Sequence, residues 1–229
     1  GIIKMDLNNN AIFIADSHYN SSRKTLYNLL IYIDKEEDIK QLFLMGDIFD
    51  FLSYEIEYFK KVNKDIIELI NLMSNSIDII YFEGNHDFNL KKIFPNITVI
   101  SRDLQPLYIK NNNTNIALAH GDIFTPLSYN IFTTILRDNY FLRFLNFIDI
   151  NNFISKYFEK KLKLKVICHQ QENYDKFIKN RIKNYGVDLV IEGHFHQGYL
   201  SERYINIPSL ACDNRYMRYE NKQFNFFKV

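Results

Sequence analysis

Short polar motifs stand at the ends of apolar runs in this sequence, and they constrain the fold more than any other feature. Residues 11–15, for example, are all apolar, and Asp16 follows them directly. Because a short apolar run with a polar boundary is typical of a buried strand, each motif is predicted to lie in a loop after a strand. The motifs are Asp16-Ser17-His18, Gly46-Asp47, Gly84-Asn85-His86-Asp87, His120-Gly121-Asp122 and Gly193-His194-Phe195-His196. Helical patterns alternate with the predicted strands, which favours an α/β fold with its site at the carboxyl ends of the strands.

Five of the six histidines lie in these motifs, in company with aspartate and asparagine. Imidazole, carboxylate and amide oxygen are ligands that suit divalent ions such as Mn, Fe and Zn. Each motif taken alone occurs often by chance, but five of them in order after apolar runs predict one two-metal site. Two neighbouring ions can clamp a phosphoryl group and activate water, and they need a bridging carboxylate, a role that suits Asp47.

Composition narrows the possible functions. The chain has 229 residues, enough for one domain with a sizeable core, and its net charge of +1 gives no reason to expect a nucleic-acid partner. We see no signal peptide and no apolar run long enough to span a membrane. Cys168 and Cys212 lie far apart and form no CxxC motif, so we expect two packed thiols in a reduced cytosolic environment.

The segment between the last two motifs departs from the alternating pattern. Apolar and aromatic residues recur there at helical spacing, and residues 137–165 hold seven basic against three acidic side chains. One interpretation is a helical hairpin packed on the core with a solvated basic face. The other is an apolar lid whose basic rim faces phosphate or anionic lipid. On the second interpretation, the candidate substrate contacts are Arg137, Arg143, Lys163 and Lys165.

With Asp50 three residues after Asp47, the motif set resembles the signature of the calcineurin-like metallophosphoesterases over residues 12–197. The resemblance implies an αββα two-sheet sandwich, with residues 1–229 as a single domain and residues 124–168 as a helical cap insertion. It implies two divalent ions, with Mn²⁺ expected and Fe or Zn possible. It makes His86 the general acid or phosphate contact, with Asp50 orienting its imidazole. The implied metal ligands are Asp16, His18, Asp47, Asn85, His120, His194 and His196.

A closer resemblance is to the UDP-2,3-diacylglucosamine diphosphatases of lipid A synthesis, which carry a similar insertion after the His120 motif. It implies hydrolysis of a pyrophosphate to UMP and 2,3-diacylglucosamine 1-phosphate. The implied partners are a lipid-linked nucleotide sugar and an anionic membrane surface on the cytoplasmic side, bound peripherally. The better-known members of that subfamily carry Arg where this chain has His86, whereas His is the residue of the wider family.

Two alternatives remain at this stage. A soluble phosphodiesterase or phosphoprotein phosphatase of the same fold would have a solid insertion without an apolar channel. A non-catalytic scaffold of the same fold would be expected to lose metal ligands or His86, and this sequence keeps them all.

Overall fold

The computed structural model of the chain describes residues 3–229, with side chains from residue 5 onward. Its strands are β1 Ile3–Lys4, β2 Ala11–Ile14, β3 Gln41–Leu44, β4 Leu52–Ser53, β5 Asp78–Phe82, β6 Asp87–Phe88, β7 Thr98–Ile100, β8 Leu107–Asn111, β9 Thr114–Ala119, β10 Leu189–Glu192, β11 Tyr199–Leu200, β12 Tyr204–Asn206, β13 Arg215–Glu220 and β14 Gln223–Lys228. Its helices are α1 Thr25–Lys35, α2 Glu57–Val62, α3 Lys64–Met73, α4 Leu127–Leu136, α5 Asn139–Ile148, α6 Phe153–Leu164, α7 Tyr174–Lys183 and α8 Leu210–Asp213.

Two six-stranded sheets face each other, one ordered β14-β13-β2-β3-β5-β7 and the other β1-β8-β9-β10-β12-β11. Side chains alternate along each strand, so Phe13 and Phe43 stack at 4.3 Å and share a buried cluster with Leu118 and Ile191 of the opposite sheet. The residue next to Phe13, Ile12, faces the other way and packs in the cluster of α1 and α3. Helix α7 covers the outer face of the second sheet. The predicted αββα sandwich is confirmed.

Three elements differ from the sequence-based expectation. The helical pattern over residues 55–73 is interrupted at Asn63, whose φ of −105° and ψ of 12° separate α2 from α3. The sequence indicates a helix after His169 but not its bounds, because the charged residues of α7 outnumber its apolar ones and few of its positions are buried. Strand β13 was not predicted, although it pairs antiparallel with β2, because its arginine and glutamate weaken the apolar alternation.

Residues 124–168, predicted to be a cap insertion and here called the cap, contain α4, α5 and α6, whose side chains line a cavity together with residues of the body such as Phe51 and Phe88. Two arginines anchor it to the body. Arg102 donates to the Asp122 carbonyl at 2.7 Å and to Asn130 Oδ1 at 2.7 Å, and Arg137 donates to the Gly84 carbonyl at 2.6 Å. Within residues 3–229, no helix combines the length and apolar character needed to cross a bilayer.

The expectation of two separate packed thiols is wrong. Cys168 and Cys212 form a disulfide, with their Cα atoms 5.6 Å apart. A separation of 44 residues hides this proximity in the sequence. The fold creates it, because the segment that leaves the cap and the short helix α8 both border the loops at the carboxyl ends of the strands.

Candidate metal centre

The predicted ligands converge because four strands of the two sheets end at the same place. Asp16 follows β2, Asp47 follows β3, His120 follows β9 and His194 follows β10. Hydrogen bonds join these loops within and between the sheets: the Gly193 amide donates to the His120 carbonyl at 2.8 Å within the second sheet, and the His194 amide donates to Asp16 Oδ2 at 2.8 Å across the sandwich. The two sheets therefore build the site together.

Two groups of side chains present ligand atoms close enough to hold one ion each. In each group the atoms lie within 4.8 Å of one another. Asp16, His18 and His196 form the first group, and Asp47, His120 and His194 form the second. Asp47 also groups with His18 and His86, which places it between the two. Asn85 lies beside the second group, with Oδ1 3.3 Å from Nε2 of His120.

Main-chain carbonyls set which ring nitrogen faces the site. His120 Nδ1 lies 2.9 Å from the Met45 carbonyl, and His196 Nδ1 lies 2.8 Å from the Ile167 carbonyl. Because a carbonyl oxygen only accepts, each Nδ1 carries the proton and donates it. In the neutral form of each ring the lone pair is then on Nε2, the nitrogen that faces the carboxylates, as required of a metal ligand.

The buried carboxylates and imidazoles of the site shift one another's pKa values. Burial raises the pKa of the Asp47 carboxyl, but the surrounding histidines, His120 first, outweigh burial and hold that pKa well below its usual range. Burial lowers the pKa of His120, yet the neighbouring carboxylates, Asp47 first, raise it to about 9. Burial and then repulsion from His120 lower the pKa of His194 to about 4, so this imidazole is neutral at pH 7.

The buried polar atoms of the site fit a pair of cations. Asp16 Oδ1 and both ring nitrogens of His18 are buried without a hydrogen-bond partner among the described residues. Such groups are costly to bury unless something else satisfies them, and a divalent ion would satisfy Asp16 Oδ1 and the unprotonated ring nitrogen of His18. The backbone is also shaped for close approach, because a Cβ on Gly84 would lie 2.3 Å from both the amide nitrogen and Oδ1 of Asp47.

The backbone of the ligand loops is unusual as well. Five predicted ligands have positive φ values, which non-glycine residues rarely adopt. They are Asp16 (50°), His18 (41°), Asp47 (50°), His194 (66°) and His196 (55°).

A family model described as calcineurin-like phosphoesterase matches residues 10–198. The chain belongs to this family. Among curated relatives, the UDP-2,3-diacylglucosamine hydrolase of Wigglesworthia glossinidia brevipalpis is 24% identical to the phosphoesterase over 196 residues, covering 81% of this chain and 78% of the relative. The protein of the same name from Haemophilus influenzae is 25% identical over 207 residues, covering 81% and 82%.

The curated protein of the same name from Vibrio atlanticus is 24% identical to the phosphoesterase over 215 residues, covering 88% of this chain and 84% of the relative. A solved structure of a protein of unknown function from Aquifex aeolicus aligns with a TM-score of 0.43 and 14% identity, covering 87% and 89% of the two chains. That structural likeness is too weak to bear on activity.

In the phosphoesterase, Asp50 does not orient His86 in the way that was predicted. The main-chain carbonyl of Asp50 lies 2.7 Å from His86 Nδ1 and accepts its proton. The Asp50 carboxylate instead accepts from Arg23 at 2.8 Å and from Asn20, and its Oδ1 lies 3.5 Å from His18 Nδ1. The reason is that the chain turns after Asp50 into β4, and this turn directs the main-chain carbonyl, not the side chain, at His86.

Three of the four predicted substrate contacts lie elsewhere. Arg137 is bonded to the Gly84 carbonyl and lies 3.4 Å from Asp122 Oδ2, so it anchors the cap. Lys163 pairs with Glu159 at 2.8 Å, and Arg143 is exposed and borders neither cavity of the site. Basic residues were chosen by composition, which does not reveal which side chains face inward. Lys165 alone borders the site, and it stays a prediction.

Two further residues, Asp87 and Arg23, support the metal ligands to a greater extent than the sequence indicated. Asp87, the last residue of the third motif, accepts from the Asp47 amide at 3.0 Å, the Gly84 amide at 2.9 Å and the Tyr81 hydroxyl at 2.7 Å. Its burial, and then the charge of Asp47, raise its pKa to about 7. Arg23 was missed, and its only sequence signal is that it closely follows the first motif.

Two adjoining cavities lie between cap and body. The smaller, about 170 Å³, is here called the polar cavity because most residues that line it are polar: metal-ligand candidates together with His86, Lys165 and His169. His169, the one histidine outside the motifs, is exposed and borders this cavity. The larger cavity, about 580 Å³, is lined mainly by apolar cap and body residues. Asn85, His86 and Lys165 line both, so they form the junction between the polar and the apolar space.

Proposed function

We propose that this phosphoesterase hydrolyses the pyrophosphate of UDP-2,3-diacylglucosamine, releasing UMP and 2,3-diacylglucosamine 1-phosphate in lipid A synthesis. The observation that carries the proposal is the apolar cavity of about 580 Å³ that meets the metal centre at His86. Its size is within the range of small-molecule sites. The curated relatives named UDP-2,3-diacylglucosamine hydrolase support the same substrate.

The cavity has the chemistry of an acyl-chain site. Aromatic and aliphatic side chains from α4, α5 and α6 form one wall, and residues of the body form the other. They include Phe51, Phe59, Phe88, Phe132, Leu136, Leu142, Leu145, Ile154, Phe158 and Leu162. Each methylene group buried here contributes about 0.8 kcal/mol. A soluble phosphodiesterase or phosphatase would need no such space beside its reacting phosphate, and a solid insertion was the expectation for that alternative.

Two residues at the junction of the cavities, His86 and Lys165, can take separate roles in the reaction at the phosphate. Two divalent ions, when bound, would polarise phosphoryl oxygens and supply a nucleophile at neutral pH. His86 Nδ1 is held by the Asp50 carbonyl, so its Nε2 is the nitrogen able to contact the phosphate or the leaving oxygen. Burial lowers the pKa of His86, and the charge of Asp47 opposes that effect. The Lys165 ammonium at the same junction would attract the second phosphate of a diphosphate.

The outer surface of the cap supports peripheral binding to an anionic membrane. Large apolar side chains stand exposed at the turn between α5 and α6 and near it: Phe147 (84%), Tyr140 (80%), Phe153 (76%) and Ile150 (75%). Basic side chains lie on the same two helices, among them Arg143, Lys156, Lys160 and Lys161, and all four are exposed. An apolar patch with a basic rim binds anionic lipid headgroups. In flotation assays we expect binding to phosphatidylglycerol vesicles and none to phosphatidylcholine vesicles.

The substrate test uses the Mn-loaded protein with the diacylated UDP-sugar, with UDP-N-acetylglucosamine and with a generic phosphodiester reporter. We expect UMP release from the diacylated substrate at a kcat/KM at least a hundredfold above that for the sugar without acyl chains. Equal rates for the two UDP-sugars, or turnover of the reporter alone, would refute the lipid assignment.

A matched pair of variants tests the cavity itself. Leu145 lines it, whereas Leu164 is exposed on α6 and does not. Leu145→Trp should exclude about three methylene groups, which costs roughly 2.4 kcal/mol and raises KM for the diacylated substrate roughly 50-fold. Leu164→Trp should leave that KM unchanged, and neither variant should alter turnover of the generic reporter. A Leu145→Trp enzyme with the wild-type KM would show that acyl chains bind elsewhere.

A further inference from the structure

We propose that the Cys168–Cys212 disulfide holds the metal ligand His196 in place, so that reducing it weakens the metal site built from Asp16, His18 and His196. The proposal rests on the metal-binding part of the proposed function and not on its substrate. Its test reads metal affinity directly, so the lipid assignment can fail while this inference stands.

The first observation is that a piece of the cap orients the imidazole. After α6 the chain returns to the body through residues 165–169, here called the return segment. Its Ile167 carbonyl accepts the Nδ1 proton of His196 at 2.8 Å, which leaves Nε2 facing Asp16 Oδ1 at 3.3 Å. Lys165, Ile167 and His169 also line the polar cavity, so this segment is part of the wall of the metal centre.

The second observation is that Cys212, the other cysteine of the disulfide, is attached to the loop of Asp16, which supplies another ligand of the same metal site. Cys212 lies in α8, which is bonded to the loop that carries Asp16. The Ala211 amide donates to the Asp16 carbonyl at 3.1 Å, and the Ser209 hydroxyl donates to the same carbonyl at 2.9 Å. The covalent bond therefore joins the segment that orients His196 to the loop that supplies Asp16.

The third observation is that little else holds the return segment. Cys168 and its neighbours Val166 and His169 are exposed, and among the described residues the side-chain contacts from the body are few. Gln197 donates to the His169 carbonyl at 2.9 Å, and just beyond the segment it accepts from the Gln171 amide at 2.9 Å. With the disulfide open, the Ile167 carbonyl is free to leave His196, and its imidazole can rotate or change tautomer.

The redox step is a simple exchange. The reductant supplies two electrons, the bond between the two sulfur atoms breaks, and each sulfur takes up a proton to become a thiol. A dithiol gives its own two protons and becomes a disulfide, whereas with a phosphine one water molecule supplies the two protons and the oxygen of the phosphine oxide. Loss of the partner that orients a metal-bound histidine typically lowers metal affinity by about 10- to 100-fold. We expect a change of that size at one of the two sites, with the Asp47–His120–His194 site largely unaffected.

The test measures Mn²⁺ binding to metal-free protein by titration calorimetry, with thiols counted before and after treatment. Oxidised wild type should bind two ions tightly, and phosphine-reduced wild type should bind one of them at least tenfold more weakly. Cys168→Ala/Cys212→Ala should match the reduced protein without any reductant. Reductant added to that double variant controls for chelation and should cause no further change. Circular dichroism of the reduced wild type checks that the fold is retained.

A second arm assigns the effect to His196. In His196→Ala, reduction of the disulfide should no longer change the residual affinity of the Asp16–His18 site, because the ligand through which it acts is gone. Equal affinities in oxidised and reduced wild type would overturn the proposal. So would an equal loss at both sites, or a reduction effect that persists at full size in His196→Ala.

Discussion

Substitution of Arg181 on α7 should destabilise the protein strongly, because this residue closes a buried network behind the His120 loop. Its guanidinium donates to the Glu192 carboxylate at 2.7 Å, to the Gly121 carbonyl at 2.6 Å and to the Ile123 carbonyl at 2.7 Å. The Arg181 side chain is 6% exposed and that of Glu192 is 0% exposed. The pair therefore interacts almost without solvent screening.

The magnitude follows from what the substitution leaves behind. Arg181→Met keeps much of the side-chain volume but removes the cation, so the Glu192 carboxylate and two carbonyls lose their charged donor. Removing one partner of a buried ion pair costs about 3–5 kcal/mol. At roughly 2–4 °C per kcal/mol for a chain of this size, the melting temperature should fall by about 6–20 °C.

The assay is thermal and urea unfolding of the metal-free proteins, which separates this effect from metal binding. Lys179→Met, an exposed position on the same helix, is the control and should change the unfolding free energy by less than about 0.5 kcal/mol. Arg181→Met/Glu192→Gln should recover part of the loss, because it removes the unpaired charge. A loss below about 1 kcal/mol in Arg181→Met, or no recovery in the double variant, would refute the reasoning.

Three further outcomes are expected at the metal centre. His86→Ala should lower kcat by about 10²-fold or more while metal content stays at two ions, since general acid–base groups contribute 10²–10⁴-fold; unchanged kcat would remove His86 from the reaction. Gly84→Ala should lower metal content, because its Cβ would lie 2.3 Å from Asp47 Oδ1, whereas Gly186→Ala, with nothing within 4 Å, should keep both ions by elemental analysis. In metal-free protein the pKa of His120 is about 9, so Mn²⁺ must displace a proton from this imidazole when it binds at neutral pH. The Mn²⁺ affinity measured by calorimetry should therefore rise about tenfold per pH unit toward pH 9 and then level off. An affinity that stays constant from pH 6.5 to 8.5 would contradict this.

The sequence predicted the fold and the ligand cluster for the same reason. Residues 11–15 are apolar because β2 is buried between the second sheet and a helix layer, and the chain can become polar only where the strand ends. A ligand such as Asp16 must stand at that end to reach its partners. The end of the apolar run in the sequence is therefore also the place where the ligands meet in the fold, so the candidate residues could be listed without coordinates.

The features that sequence reasoning missed depend on contacts between distant segments or on main-chain atoms. The Cys168–Cys212 bond arises from the return path of the cap, and no local spacing records it. The group that orients His86 is the carbonyl of Asp50, and any residue type carries a carbonyl. The charge of Arg137 suggests a phosphate contact. Its side chain instead donates to the Gly84 carbonyl, and this contact depends on where α4 ends, which the sequence pattern does not show.

The positive φ values at five ligand positions have a consequence for how such a protein changes over generations. A non-glycine residue held in that conformation costs about 1–3 kcal/mol, so the metal-free fold carries a penalty at each of these ligands. A descendant released from selection for hydrolysis would gain stability by replacing His194 or His196 with glycine or asparagine. Loss of activity in this family is therefore expected to begin at the ligand loops, and the inactive descendants should melt at higher temperature than the metal-free enzyme.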